Sequence, residues 1–183
     1  MIGLALRLTL LAALLVGAAP AVAQPQATEP AIKAALLYKF ASYVEWPPAV
    51  AGAPAAPFVF GVMGADDVAA ELEQLVAGRV VNGRAASVRR VKEGEALGGL
   101  HVLFVGARDA GRIRAVASAA RPHSVLVVSS ADGGLEAGSV INFVPADERV
   151  GFEVSVQAAE RSALKVSSRM LGVAKRVVSA SSG

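Results

Sequence analysis

The sequence predicts an α/β domain: a mixed, mostly parallel sheet flanked by helices, with a C-terminal antiparallel hairpin and two C-terminal helices. Three observations predict it. Short continuous apolar runs at 58–63, 101–105 and 124–128 alternate with helical patterns, as expected for parallel strands covered on both faces. Residues 139–144 and 149–156 flank the turn Pro145-Ala146-Asp147-Glu148, which reads as a hairpin with a four-residue loop. Helical patterns then fill 157–164 and 166–178, the second with Val166, Met170, Val173 and Val177 on one stripe.

Taken in order, the chain opens with a segment that is not part of this domain. Arg7 supplies a positive start, residues 8–19 are almost wholly apolar, Pro20 breaks the run, and Ala21-Val22-Ala23 presents small residues at a cleavage spacing. Residues 1–23 therefore read as a cleavable signal peptide, since the apolar run is shorter than the roughly 20 residues of a membrane span. The rival is an uncleaved anchor. Residues 24–30 form a short polar, Pro-containing leader, and 31–183 a single domain. A helical pattern runs over 28–45, with Thr28 as its N-cap. It carries two apolar stripes, Ile32, Leu36, Phe40 and Tyr43 on one and Leu37, Ala41 and Val44 on the other. A helix apolar on two sides is buried on two sides, either inside its own domain or against a partner chain. Trp46-Pro47-Pro48 ends it.

Residues 58–63 form the first buried strand, and Asp66 caps a helix over 67–77. Asn82-Gly83 joins short strands at 79–81 and 86–91, a tight-turn pair. Strand 101–105 is followed by a helix capped by Asp109 and running to about Ala120, then by strand 124–128.

Composition excludes several chemistries. There is no cysteine and there are only two histidines, so thiol catalysis, disulfides and Cys- or multi-His metal sites are out. A formal net charge of +3 with scattered Lys and Arg gives no nucleic-acid face. Gly106-Ala107-Arg108-Asp109-Ala110-Gly111 sits where a phosphate loop would, but Arg112 and Ile113 replace its required Lys and Ser/Thr. No nucleophile elbow or triad spacing is present, so no catalytic residue, cofactor or metal site is assigned.

The candidate ligand-binding residues are polar groups set on apolar scaffolding. Asn142 lies within Val140-Ile141-Asn142-Phe143-Val144 and needs partners if buried. Glu153 and Arg149 occupy the polar face of the next strand. Lys165, Ser167, Ser168 and Arg169 open the last helical pattern, where a cation beside free backbone N–H groups suits an anion. Capping, a surface ion pair and a satisfied core amide are the plain alternatives.

One resemblance joins these pieces. Ala34-Ala35-Leu36-Leu37-Tyr38-Lys39-Phe40 with Tyr43-Val44-Glu45-Trp46-Pro47 resembles the N-terminal signature of the YfiR family. His101-Val102-Leu103-Phe104-Val105-Gly106 is similar to its central strand. Gly138 to Val144, Arg149 to Val154 and Leu164 to Leu171 are similar to its C-terminal half, in order and spacing. The resemblance implies a compact, commonly dimeric periplasmic domain that represses a membrane-bound diguanylate cyclase. It implies binding to that enzyme's periplasmic sensor region and relief by an outer-membrane lipoprotein. The disulfides of many relatives have no counterpart here. The helix over 28–45 and the ensuing Trp46-Pro47, with Leu37, Phe40, Val44 and Trp46, are the expected partner contact, while a small-molecule sensor whose ligand sits near Asn142, Glu153, Ser167 and Arg169 is the alternative.

Overall fold

The computed structural model describes residues 27–51, 56–146 and 149–179. The expected signal peptide, 1–23, and residues 24–26 of the expected leader lie outside them.

Helix α1 spans Glu29–Phe40; the Thr28 Oγ1 accepts the Ala31 N–H at 3.3 Å, and Pro30 occupies its first turn. It ends before the expected Glu45. The N–H groups of Ser42 and Tyr43 turn back to the carbonyls of Lys39 and Phe40, both at 2.9 Å. The chain then extends as β1, Val44–Glu45, because Pro47 disfavours helix at Trp46 and Lys165–Val166 offers an antiparallel ladder partner. Next come α2 (Pro48–Ala51), β2 (Phe58–Met63), α3 (Asp66–Val76) and the edge hairpin β3 (Val80–Val81) and β4 (Arg84–Arg90). That hairpin turns on Asn82-Gly83, both at positive φ as a tight two-residue turn demands. The chain continues through β5 (Val102–Val105), α4 (Ala110–Ala120), β6 (Leu126–Ser129), β7 (Ile141–Ala146) and β8 (Arg149–Ser155). Asp109 caps α4 by accepting the Arg112 N–H at 2.7 Å. The hairpin ladder extends through Pro145 and Ala146, further than the four-residue loop allowed.

Two short helices follow, α5 (Val156–Arg161) and α6 (Ser168–Leu171), separated by β9 (Lys165–Val166). The helix expected over 166–178 is thus replaced by strand, one helical turn and strand β10 (Arg176–Val178). Ser167 and Gly172 bracket the turn, and the outer edge of β8 offers Arg176–Val178 a parallel ladder. Of the expected stripe only Met170 is buried; Val173 remains 71% exposed.

The eight-stranded sheet has the order β10-β8-β7-β6-β5-β2-β4-β3. Strands β4, β2, β5, β6 and β7 are mutually parallel, while β8, β10 and β3 run the other way. The sheet is therefore mixed and mostly parallel, as its apolar strands predict. Alternating side chains divide the core in two. Phe58, Phe60, Val62, Phe104 and Val128 meet α1, α3 and α5 on one face, whereas Met63, Leu103, Val105 and Val127 meet α4 on the other. Phe40 of α1 packs edge-on to Phe152 at 5.0 Å and stacks on Phe143 at 5.9 Å, which seats the helix over the β7–β8 ribbon. Full burial of Leu37 and Phe40 is worth about 1.5–3 kcal/mol each.

Candidate functional site

The β7–β8 ribbon is longer than β6, and this mismatch makes the main groove. Strand β6 pairs with β7 only at Val128–Ile141 and Ser129–Asn142, so Phe143–Ala146 run on past its end. The first turns of α1 stand opposite, and the loop after β6 closes the floor. The result is an open groove of about 770 Å³ lined by Ile32, Lys33, Arg108, Ser130, Asp132, Asn142, Val144, Glu153 and Arg176 among others.

Asn142 sits at its base, 3% exposed. Its Oδ1 accepts the Ser129 Oγ–H at 2.7 Å and the Ala131 N–H at 3.1 Å, and its Nδ2 donates to the Ala131 carbonyl at 3.0 Å. The amide thereby fixes the loop that floors the groove. Gly134 packs against this network; a Cβ there would lie 2.3 Å from Asn142 Oδ1, so no larger residue fits. Lys33 reaches down from α1, paired with Glu29 at 2.6 Å, donating to Ser130 Oγ at 3.0 Å and lying over the Phe104 ring at 5.9 Å. Arg176 of β10 grips Glu153 through two hydrogen bonds, at 3.0 and 2.9 Å, and adds Glu136 at 3.2 Å. Those two carboxylates raise the Arg176 pKa. The Glu136 pKa is lowered by its own backbone and by Arg176. Arg108 lines the groove with no ion pair among the described residues.

A second crevice of about 650 Å³ opens at the carboxyl ends of β2, β4 and β5, where strand order reverses and open α/β sheets usually take ligands. There the loops after β2 and β5 pack directly on each other. A Cβ on Gly106 would lie 2.4 Å from the Gly64 carbonyl. Arg90 is held by Asp66 at 2.9 Å and Glu73 at 3.0 Å, and Arg112 by Glu93 at 3.3 Å.

The structure unites only part of the expected ligand set. Asn142 and Glu153 face each other across the β7–β8 ladder, and both line the groove. Arg149 starts β8 at the far end, opposite Ala146, and its side chain lies outside the described part. Lys165 pairs with Glu45 in the β1–β9 ribbon, away from the groove. Ser167 is used as the N-cap of α6, accepting the Met170 N–H at 3.4 Å, with Ser168 and Arg169 exposed in that single turn. The partner-contact set turns inward: Leu37 (0% exposed), Phe40 (2%) and Val44 (4%) are core side chains of this chain. Trp46 is half-buried; its Nε1–H donates to the His101 carbonyl at 3.2 Å, and its ring meets Phe58 edge-on at 5.3 Å. The bury-on-both-sides reading of α1 therefore resolves toward its own domain.

Sequence reasoning missed Lys33, Arg108, Ser130, Asp132 and Arg176. The Glu29–Lys33 spacing of four is a readable helical pair. Arg176 gave no signal, because only strand β10 brings it to Glu153.

Fold and groove together define an α/β domain whose open groove lies between a helix start and an overhanging hairpin. The chain belongs to the YfiR/HmsC-like family, whose model matches residues 30–175, from the first turn of α1 to the residue before β10. Members of this family are periplasmic regulators of diguanylate cyclase signalling. No curated protein matches the chain. Among the described residues no helix is long and apolar enough to cross a membrane.

Proposed function

We propose that the exported chain, cleaved after Ala23, binds the periplasmic sensor region of a membrane diguanylate cyclase and so sets cyclic di-GMP synthesis from outside the membrane. The family match over residues 30–175 carries this reading. The mechanism is occupancy. Binding alters cyclase output only if it prefers one state of the sensor region; a 99:1 shift from 1:99 needs about 5.5 kcal/mol of preference. An outer-membrane lipoprotein that competes for the regulator, and a homodimer as the binding unit, belong to the same proposal. The test is titration of the mature chain against the purified periplasmic region of the cyclase, with cyclic di-GMP measured in cells lacking the regulator. Absence of binding together with unchanged cyclic di-GMP refutes it.

A second reading has its own support in the 770 Å³ groove with Arg108 at its wall. In it, a small ligand loads the groove and tunes partner binding. A ligand at 100 times its Kd stabilises the folded chain by about 2.7 kcal/mol, so a metabolite panel read by melting temperature detects it. Arg108→Glu removes that shift if the ligand is anionic, while leaving the unliganded melting temperature in place.

A further inference from the structure

One wall of the groove is an unfinished strand edge. The Ser155 N–H donates to the Val140 carbonyl at 2.8 Å, and the ladder that follows turns the backbone groups of Asn142, Val144 and Ala146 toward β8. Those of Ile141, Phe143 and Pro145 turn the other way, toward β6. Strand β6 stops at Ser129, opposite Asn142, and past it no described strand lies beside β7. Pro145 has no N–H, so the overhang offers acceptors only: the Phe143 and Pro145 carbonyls, two residues and roughly 6.8 Å apart. No donor among the described residues reaches either carbonyl. Phe143 is 3% exposed, and an acceptor left open at such a place takes its donor from water or from a ligand.

The chain itself brings donors of matching spacing to this place. Ala27, just ahead of α1, lines the same groove. Before it in the mature chain come Gln24-Pro25-Gln26, which lie outside the described residues. Three residues reach at most about 10 Å, so the start of the leader cannot leave the surroundings of the groove. In extended form the Gln26 N–H and the Gln24 ammonium point to one side, two residues apart, and Pro25, which has no N–H, points to the other. Donors alone thus meet acceptors alone at one spacing.

We propose that Gln24–Gln26 of the mature chain lies along the β7 overhang as a short added strand, a built-in competitor of whatever else the groove takes. The inference rests on cleavage after Ala23 and on the groove reading above. In the uncleaved precursor the nitrogen of Gln24 is an ordinary amide, so the charged donor exists only after cleavage. A groove ligand then binds only the fraction of chains whose leader has moved aside.

The test compares the mature chain, labelled for NMR, with a chain begun at Ala27. The Gln26 amide should exchange about tenfold more slowly than its intrinsic rate, as one added hydrogen bond allows. Through-space contacts should join Pro25 or Gln26 to Val144 and Pro145. Removing 24–26 should shift the signals of Phe143–Ala146 and leave those of β2 and β5 in place. Gln26→Pro, which deletes the donor outside the described fold, should reproduce those shifts. A Gln26 amide that exchanges at its intrinsic rate, or overhang signals that are the same in both chains, overturns the proposal. Protection that grows with protein concentration also overturns it, since the occupant is then a second copy. The groove-ligand reading fails separately. A metabolite that stabilises the mature chain should bind the chain begun at Ala27 about tenfold more tightly, and equal affinity removes the competitor. If no metabolite shifts the melting of either chain while Gln26 stays protected, that reading falls and the leader strand stands.

Discussion

Replacing Asn142 separates a ligand contact from a structural pin. Asn142→Ala strips Ser129 Oγ and the Ala131 N–H of the partner each has, at 2.7 and 3.1 Å, while the Ala131 carbonyl loses one bond at 3.0 Å and keeps the Gly134 N–H at 3.1 Å. Ser129 is fully buried and Ala131 nearly so. An unsatisfied buried group costs roughly 1–3 kcal/mol, but the hydroxyl can rotate and the adjacent groove can admit a water to the vacated space. The net expectation is a loss of about 2–4 kcal/mol. Urea unfolding of the mature chain, followed by Trp46 fluorescence, should show the midpoint falling by about 1–2 M at unchanged slope, given a slope near 2 kcal/mol/M. Asn142→Asp gives the signed control. Its Oδ1 keeps two of the three bonds, while the second oxygen meets the Ala131 carbonyl and must be protonated to donate to it. Burial and that carbonyl raise the folded pKa of the new acid above its unfolded value. The variant is therefore close to the parent at acid pH and loses stability as pH rises through the folded pKa. Loss of under 0.5 kcal/mol in Asn142→Ala, or an Asp variant whose deficit does not grow with pH, refutes the pinning argument.

Three more outcomes follow from burial and packing. Leu37→Ala, at 0% exposure in α1, should cost about 2–5 kcal/mol, and Leu37→Asp should abolish the folded circular dichroism spectrum; a folded Asp variant that merely loses partner binding would return Leu37 to the surface. Gly61→Ala should destabilise by about 1–3 kcal/mol by thermal melting, since the new Cβ would stand 2.9 Å from Leu100 Cδ1 and 3.0 Å from Leu103 Cδ1; a neutral effect means the second core is looser than this packing implies. Asp109→Ala should cost about 1 kcal/mol through the lost α4 cap, and Asp109→Asn should recover most of it in the same melt.

Strands β2, β5 and β6 were legible because each is a short apolar run bounded by turn residues, too short for a helix of ordinary length. Thr28 and Asp109 were legible as caps because they precede apolar periodicity. Strands β1, β9 and β10 were not, for they are two or three residues long and exist where an edge is available. The stripe Val166, Met170, Val173 and Val177 has sound helical spacing, yet the bare edge of β8 outweighs one further helical turn with Val173 in water. Within the groove, Asn142 stood out as a polar residue in an apolar strand and Glu153 as part of a polar strand face, but their direct opposition was not legible: a four-residue loop sets Asn142 opposite Gly151, and the longer ladder moves it to Glu153. The Lys165–Arg169 group did not join them because the ladder with Val44–Glu45 draws that segment to another part of the fold. Arg84 opens β4 and His101 immediately precedes β5, the two strands that flank β2, so nothing local announces their contact.

Helix α1 explains why the family signature and the binding surface were easily confused. Its segment Ala34 to Phe40 is apolar enough to suggest a docking face, but those side chains fill the space between the sheet and α3. What α1 offers outward comes from its first turns, Glu29, Ile32 and Lys33 at the groove. A residue that holds the helix down cannot also be lent to a partner without opening the core, because each buried side chain carries a share of a margin of only about 5–15 kcal/mol. The contact surface of a regulator that binds and releases must therefore be assembled from residues whose loss leaves melting untouched. In this chain, groove-wall Arg108, exposed and without an ion pair among the described residues, meets that condition, while Leu37, Phe40 and Val44 do not.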